Sequence, residues 1–197
     1  MLTRALRTRG LSLIELMITL AVVAVVIFLA APNFAPWIQN TQIRNGVETM
    51  MTGVKLARSE ALKRNTPILF QLMTSIDGSC GLSTSGTSWV VSVQSAVGLC
   101  DQSDPTAAPF IVREKASGEG TTNVVYAATQ PSIGFDALGR VTPTPPGDVV
   151  INVTNPTGGG CVTADGPMRC QRIVVSAGGQ TRMCDPAVTD STDARMC

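Results

Sequence analysis

Histidine is absent from all 197 residues, which removes histidine-based catalytic triads, His-Glu-x-x-His zinc sites and most imidazole acid–base schemes at one stroke. No spacing of Ser, Lys or paired carboxylates singles out a nucleophile with its base, so no catalytic residue is nominated and the chain reads as a non-enzyme. Charge of one sign is also missing: 15 Lys+Arg stand against 14 Asp+Glu, too even a balance to advertise a polyanion as partner. No Cys-x-x-Cys occurs among the six cysteines. Gly158-Gly159-Gly160 lacks the Lys-Ser/Thr of a phosphate loop and reads as a turn. Asp185, Asp190 and Asp193 miss the spacing, the Gly and the closing Glu of a calcium loop, so they read as solvated acids. Neither a cofactor nor a metal is implied. There is no internal repeat and no second domain.

What the chain does have is a short basic leader followed by a long apolar run. Arg4, Arg7 and Arg9 precede Gly10, and from Leu11 to Ala31 every residue is apolar or small except Glu15. At helical rise that run reaches about 31 Å, roughly the hydrocarbon thickness of a bilayer. It exceeds the apolar core of a secretory signal, which would also tolerate Glu15 poorly. The leader arginines place the N-terminus on the cytoplasmic side. A carboxylate in such a segment costs about 2.5–3.5 kcal/mol near the bilayer centre, so Glu15 is expected to have a partner.

Beyond Pro32 and Pro36, which interrupt the helical hydrogen-bond ladder and predict a kink, a helical stripe resumes. Ile43, Val47, Met50, Val54, Ala57 and Ala61 recur at three- and four-residue steps, leaving Arg44, Glu48, Lys55 and Arg58 on other faces. Trp37 stands where an interfacial aromatic would. Glu60 and Arg64 form a favourable i,i+4 pair, and Asn65-Thr66-Pro67 ends the helix. Short β-type runs follow: Ile68–Leu72, Trp89–Val93, Phe110–Val112, Asn123–Tyr126, Val149–Val153 and Ile173–Ser176, with turn residues between them. Trp89, Val91 and Val93 alternate as in a half-buried strand. The stripe is the natural lid for such a surface. The expected fold is α+β, one long N-terminal helix packed on an antiparallel sheet. Its segments are a leader (1–10), an apolar helix (11–36), an amphipathic half (37–65) and a β-rich domain (66–197).

All six cysteines, Cys80, Cys100, Cys161, Cys170, Cys184 and Cys197, lie beyond the apolar run. An even count placed there points to disulfides in an oxidising periplasm. Six cysteines allow 15 pairings; the sequential one, Cys80–Cys100, Cys161–Cys170 and Cys184–Cys197, keeps every loop short and is the pairing expected.

Gly10-Leu11-Ser12-Leu13-Ile14-Glu15, followed by the apolar run and Pro32, resembles the processing and assembly signature of type IV pilins and type II secretion pseudopilins. Leu56-Ala57-Arg58-Ser59-Glu60-Ala61-Leu62-Lys63-Arg64, then Arg172-Ile173-Val174-Val175-Ser176, Gly178-Gly179 and Arg182-Met183-Cys184-Asp185-Pro186, are similar to the FimT/FimU/GspH group within it. The resemblance implies a type IV pilin-like fold and cleavage by a prepilin peptidase between Gly10 and Leu11. It further implies N-methylation of Leu11, and Glu15 as the fifth mature residue, paired with the α-amino group of a neighbouring subunit. Leu11 stands where the family usually has Phe. The resemblance also implies a single-pass inner-membrane protein with a periplasmic C-terminal domain, later incorporated into a fibre with major and minor pilins, its C-terminal sheet contacting other minor pilins or a tip adhesin. The leading expectation is a minor pilin that initiates or caps a type IV pilus; the alternative is a GspH-like minor pseudopilin of a type II secretion system.

Some FimT-type pilins are DNA receptors with an Arg-rich turn near the C-terminus. The comparable turn here, Gly178-Gly179-Gln180-Thr181-Arg182, has Gln180 where the first Arg would stand. Arg169, Arg172, Arg182 and Arg195 are the candidate phosphate contacts, with Asp185, Asp190 and Asp193 opposing a polyanion in the same tail.

Overall fold

Ser12 starts the helix. Its backbone is extended and its Oγ accepts the Glu15 N–H at 3.2 Å, the first half of a Ser-x-x-Glu cap that also puts a carboxylate at the positive end of the helix dipole. The computed structural model describes residues 12–119 and 121–197, without the side chains of 30–33; Gly10, Leu11 and the Pro32 side chain therefore lie outside the described residues. Helix α1 runs from Leu13 to Arg64. Its two stretches, Leu13–Leu29 and Phe34–Arg64, meet at 55°, over the part of the sequence that holds Pro32. Among the described residues no single helix is long and apolar enough to cross a membrane, while this bent pair is by length and composition. At the far end Arg64 Nε meets Glu60 Oε2 at 2.6 Å, and Asn65 closes the helix in the left-handed region, φ 51°, where Asn is one of the few residues at ease.

Nine strands follow: β1 (Ile68–Met73), β2 (Ser88–Ser92), β3 (Ile111–Lys115), β4 (Val125–Ala128), β5 (Ser132–Phe135), β6 (Val141–Thr142), β7 (Val149–Thr154), β8 (Gln171–Val175) and β9 (Thr181–Cys184). They form two antiparallel sheets, β3-β2-β1-β5-β6 and β4-β7-β8-β9, where a single sheet was expected. Between β4 and β5 only Thr129, Gln130 and Pro131 intervene. There the chain leaves the second sheet for the first, and the Pro131 carbonyl accepts from Leu72 of β1.

The stripe of α1 covers both sheets. Ile43, Val47, Met50, Val54, Ala57 and Ala61 are buried in one core with Phe70, Leu72, Trp89, Ile133 and Phe135 of the first sheet and Tyr126, Ile151, Val153, Ile173 and Val175 of the second. Gly53 marks the closest approach. A Cβ there would come within 2.8 Å of Phe70 Cε2 and 3.1 Å of Trp89 Cε2, so the sequence accepts the helix cost of glycine, about 1 kcal/mol, to bring the axis down onto the rings. Polar groups fix the other end of the contact. Asn155, fully buried, donates to Gln39 Oε1 at 2.7 Å, Asn123 reaches Gln39 and Gln42, and the Arg169 N–H donates to Asn40 Oδ1 at 2.7 Å.

Strand β2 corrects the half-buried reading of Trp89, Val91 and Val93. All five residues of β2 are buried, because its outer face carries a satellite core of Met73, Val90, Cys80, Ala96 and Cys100. Below it, Gln71 of β1 is also buried, with Oε1 accepting from the Ala96 N–H at 3.0 Å and the Ser92 hydroxyl at 3.2 Å. Strands β5, β6 and β9 were not anticipated; they are short, and β9 is polar enough to pass for loop.

Candidate assembly surface and arginine groove

The first seventeen residues of α1 present apolar side chains on every face. Leu13 is 81% exposed, Phe28 80%, and even the least exposed of the large ones, Leu16, is 51%. No described part of the chain packs on them. Soluble domains do not leave such surface bare, and with no polar face this stretch needs an apolar solvent or like neighbours around its whole circumference. Glu15 sits in its first turn, and no described residue stands within ion-pair distance of its carboxylate. The helix-capping role of Ser12 was passed over by the sequence reading; the Ser12-x-x-Glu15 spacing was the available signal.

The cysteines form three disulfides, Cys80–Cys100, Cys161–Cys170 and Cys184–Cys197. The last folds the C-terminal tail back onto β9, where the Asp185 N–H donates to Arg195 O at 2.7 Å and Arg182 donates to Met196 O at 3.0 Å and to Cys197 O at 3.2 Å.

That fold-back decides where the four candidate arginines go. Arg172 and Arg182 point away from the helix, since their neighbours Ile173 and Val175 face it and Arg182 shares its face with Val174 through the β8–β9 register. Arg172 donates to Asn152 Oδ1 at 2.8 Å. Arg169 and Arg195 fall on the helix side and line one cavity of about 350 Å³ together with Trp37, Asn40, Thr41, Arg44, Gln171, Met183 and Asp185. The four arginines thus divide into two pairs on opposite faces. Each already has a local partner: Arg169 Nη1 lies 3.3 Å from Asp185 Oδ2, and Arg195 Nη2 lies 2.6 Å from Asp193 Oδ2. The Arg195 side chain, helped by its own backbone N–H, holds the Asp193 carboxyl down at about 2. Arg44 was placed by sequence only on an outer face. It joins the groove because Trp37, Asn40, Thr41 and Arg44 follow three-, four- and seven-residue spacing on α1.

Residues 46–179 match the family described as type II transport protein GspH, and residues 6–31 match the prokaryotic N-terminal methylation motif. No protein of curated function matches the sequence. Among solved structures, the type IV minor pilin FimU of Pseudomonas aeruginosa (strain PAO1) in space group P21 superimposes with a TM-score of 0.52 at 13% identity, covering 75% of this chain and 91% of that one. FimU in space group P65 gives 0.50 at 14% identity, covering 71% and 90%. The minor pseudopilin EpsH from the type 2 secretion system of Vibrio cholerae gives 0.42 at 12% identity, covering 73% and 96%. At these identities the FimU likeness speaks for the fold, and the family assignment rests on the match across residues 46–179. With its long N-terminal helix packed on antiparallel sheets, the chain belongs to the GspH family of type IV pilin-like minor pilins and pseudopilins.

Proposed function

We propose that the protein is a minor pilin that helps initiate or cap a type IV pilus, held in the inner membrane by the apolar half of α1 until it enters the fibre. The observation that carries this reading is the all-round apolar exposure of Leu13–Leu29 on a helix whose other half is sealed to a folded domain. In the membrane lipid would cover that surface, and in the fibre the equivalent helices of other pilins would. The leader 1–10 would be removed by a prepilin peptidase, Leu11 methylated on its new α-amino group, and the domain from residue 66 onward would stand in the periplasm. Three short disulfide loops and a clasped tail suit a subunit destined for the outside of the cell.

Glu15 would neutralise the α-amino group of Leu11 in a neighbouring subunit. In an apolar bundle that pairing selects the register, because a one-turn slip leaves a buried charge unpaired. Glu15→Ala is expected to leave membrane insertion intact and abolish incorporation. Fibres sheared from the native host and analysed by mass spectrometry test both points: the peptide beginning at N-methylated Leu11 appears with pilus subunits from wild type and is missing from the variant. Normal incorporation of the variant would defeat the pairing.

The family description itself, a type II transport protein, supports a second reading as minor pseudopilin of a type II secretion system. Recovery of the protein only from the inner membrane of well-piliated cells would favour it. DNA reception has less support, since the four arginines are divided between two faces and engaged with local acceptors. A gel shift that responds to Arg182→Ala would revive it.

A further inference from the structure

The groove between α1 and the folded-back tail combines three features that the assembly reading does not use. Arg44 is exposed and has no hydrogen-bond or ion-pair partner among the described residues. Arg169 and Arg195 engage Asp185 and Asp193 with only part of their donor sets: Arg169 through Nη1, Arg195 through Nε and Nη2. Each guanidinium therefore retains N–H groups for a further acceptor. Trp37, two-thirds exposed, and Met183 provide an apolar wall.

These features call for an anionic oxygen cluster for the arginines and an apolar stem against Trp37. An anionic phospholipid has both. A duplex nucleic acid backbone offers the anion but no apolar stem beside it. Location agrees. Trp37 follows Ala31, the last residue of the apolar run, by six positions, about 9 Å of helix, which is close to the depth of the headgroup layer. Aromatic side chains favour that layer, and basic ones near it gain from anionic lipid.

The geometry points to this groove as a binding site for the headgroup of an anionic phospholipid of the phosphatidylglycerol type, with Arg44, Arg169 and Arg195 on the phosphate. The inference rests on the membrane-anchored state proposed above. Bound lipid would hold the domain down on the membrane before extraction, and the site would empty as the subunit moves into a fibre.

The full chain is to be reconstituted in nanodiscs of phosphatidylcholine carrying a minor fraction of phosphatidylglycerol or phosphatidylethanolamine, and retained lipids counted by native mass spectrometry. Failure to insert at all would strike the anchoring reading, separately from the site. Once the chain is inserted, phosphatidylglycerol should be retained selectively. Arg44→Gln should lower that preference about fivefold, the scale expected for one basic side chain at a membrane surface, while Arg113→Gln on the β3 edge leaves it unchanged. Arg44 is exposed and has no partner among the described residues, so its substitution spares the fold. Equal retention of all three lipids, or no response to Arg44→Gln, would overturn the site. Displacement of the lipid by millimolar inorganic phosphate would reduce it to a free-phosphate site, and displacement by a short DNA duplex would reassign it to nucleic acid; either result refutes the lipid.

Discussion

Removing the Cys80–Cys100 bridge by the double substitution Cys80→Ala, Cys100→Ala should cost more than removing either other disulfide. The bridge closes a separation of 20 residues, worth about 3.3 kcal/mol in the chain-entropy account. The separations of 9 for Cys161–Cys170 and 13 for Cys184–Cys197 give about 2.6 and 2.9 kcal/mol on the same scale. Burial widens the gap. Cys80 and Cys100 are part of the satellite core over β2, where with Ala96 they cluster with Met73 and Val90, whereas Cys161 and Cys197 are partly exposed. The tail bridge restrains a segment outside either core, so part of its nominal value is local order that global unfolding does not report. A soluble chain beginning at Phe34 keeps every core side chain, since the core starts at Ile43. Its thermal midpoint should fall by roughly 7–13 °C in the Cys80/Cys100 variant, at about 2–4 °C per kcal/mol for a chain of this size. The other two variants should lose less. If the Cys161/Cys170 variant proves the least stable, the assignment of a load to the satellite core is wrong.

Phe70→Ala in the same soluble chain should cost about 3–5 kcal/mol in urea denaturation, since Phe70 is wholly buried between Gly53 and Trp89, its ring centroid 5.8 Å from that of Trp89; a loss under 1 kcal/mol would mean that the helix does not seat there. Asn65→Gly should be neutral or slightly stabilising, and Asn65→Val clearly destabilising, because φ is 51° and a β-branched residue is strained in that region; comparable stability of the two variants would contradict the left-handed cap. Gly179→Ala should destabilise, since φ is +77° and its Cβ would run into the Gly139 carbonyl, prising apart two loops that Arg58 joins through Gly139 O and Gly178 O. On acidification stability should hold to about pH 4 and then decline toward pH 2. Glu60 is lowered by its hydrogen bond from Arg64, Asp136 by the Arg140 N–H and Asp193 by Arg195, the last to about 2. Their contribution is present above the unfolded carboxylate range and lost as pH falls through the folded values. Glu114, raised by partial burial, works in the opposite sense. A midpoint that is flat from pH 5 to pH 2 would show these contacts to be energetically idle.

The helix was legible almost residue by residue, because a 3.6-residue period survives any tertiary context that buries one face. Ile43 to Ala61 face the core as their spacing required, and Asn65 stops the helix where Pro67 forbids its continuation. The long apolar strands β1, β7 and β8 were legible for a similar reason. Partner choice was not. Nothing local in Asn123–Tyr126 says that it pairs with β7 rather than with the first sheet, and nothing in Trp89–Val93 says that a disulfide loop will cover its outer face. The arginine groove was half legible: Trp37, Asn40, Thr41 and Arg44 show their common face by spacing, but Arg169 and Arg195 reach it only because the tail turns back onto β9.

One helix meets two environments, and the boundary between them lies in the sequence between Pro36 and Ile43. Before it no described side chain of α1 is buried; after it the core side recurs without a break and Arg44, Glu48 and Lys55 occupy the solvent side. The join is made by hydrogen bonds where the core has not yet begun. Gln39, Asn40 and Gln42 are tied to Asn123, Asn155 and Arg169, and Asn155 is fully buried with its Oδ1 unpaired, at a cost of about 1–3 kcal/mol. A purely apolar contact would tolerate rotation of the helix about its axis by a fraction of a turn. Directional polar contacts do not, so they fix which way the apolar half leaves the domain. On the pairing proposed for Glu15 a subunit needs that azimuth fixed, which would give a physical reason for spending a buried asparagine at the place where the helix parts from the domain.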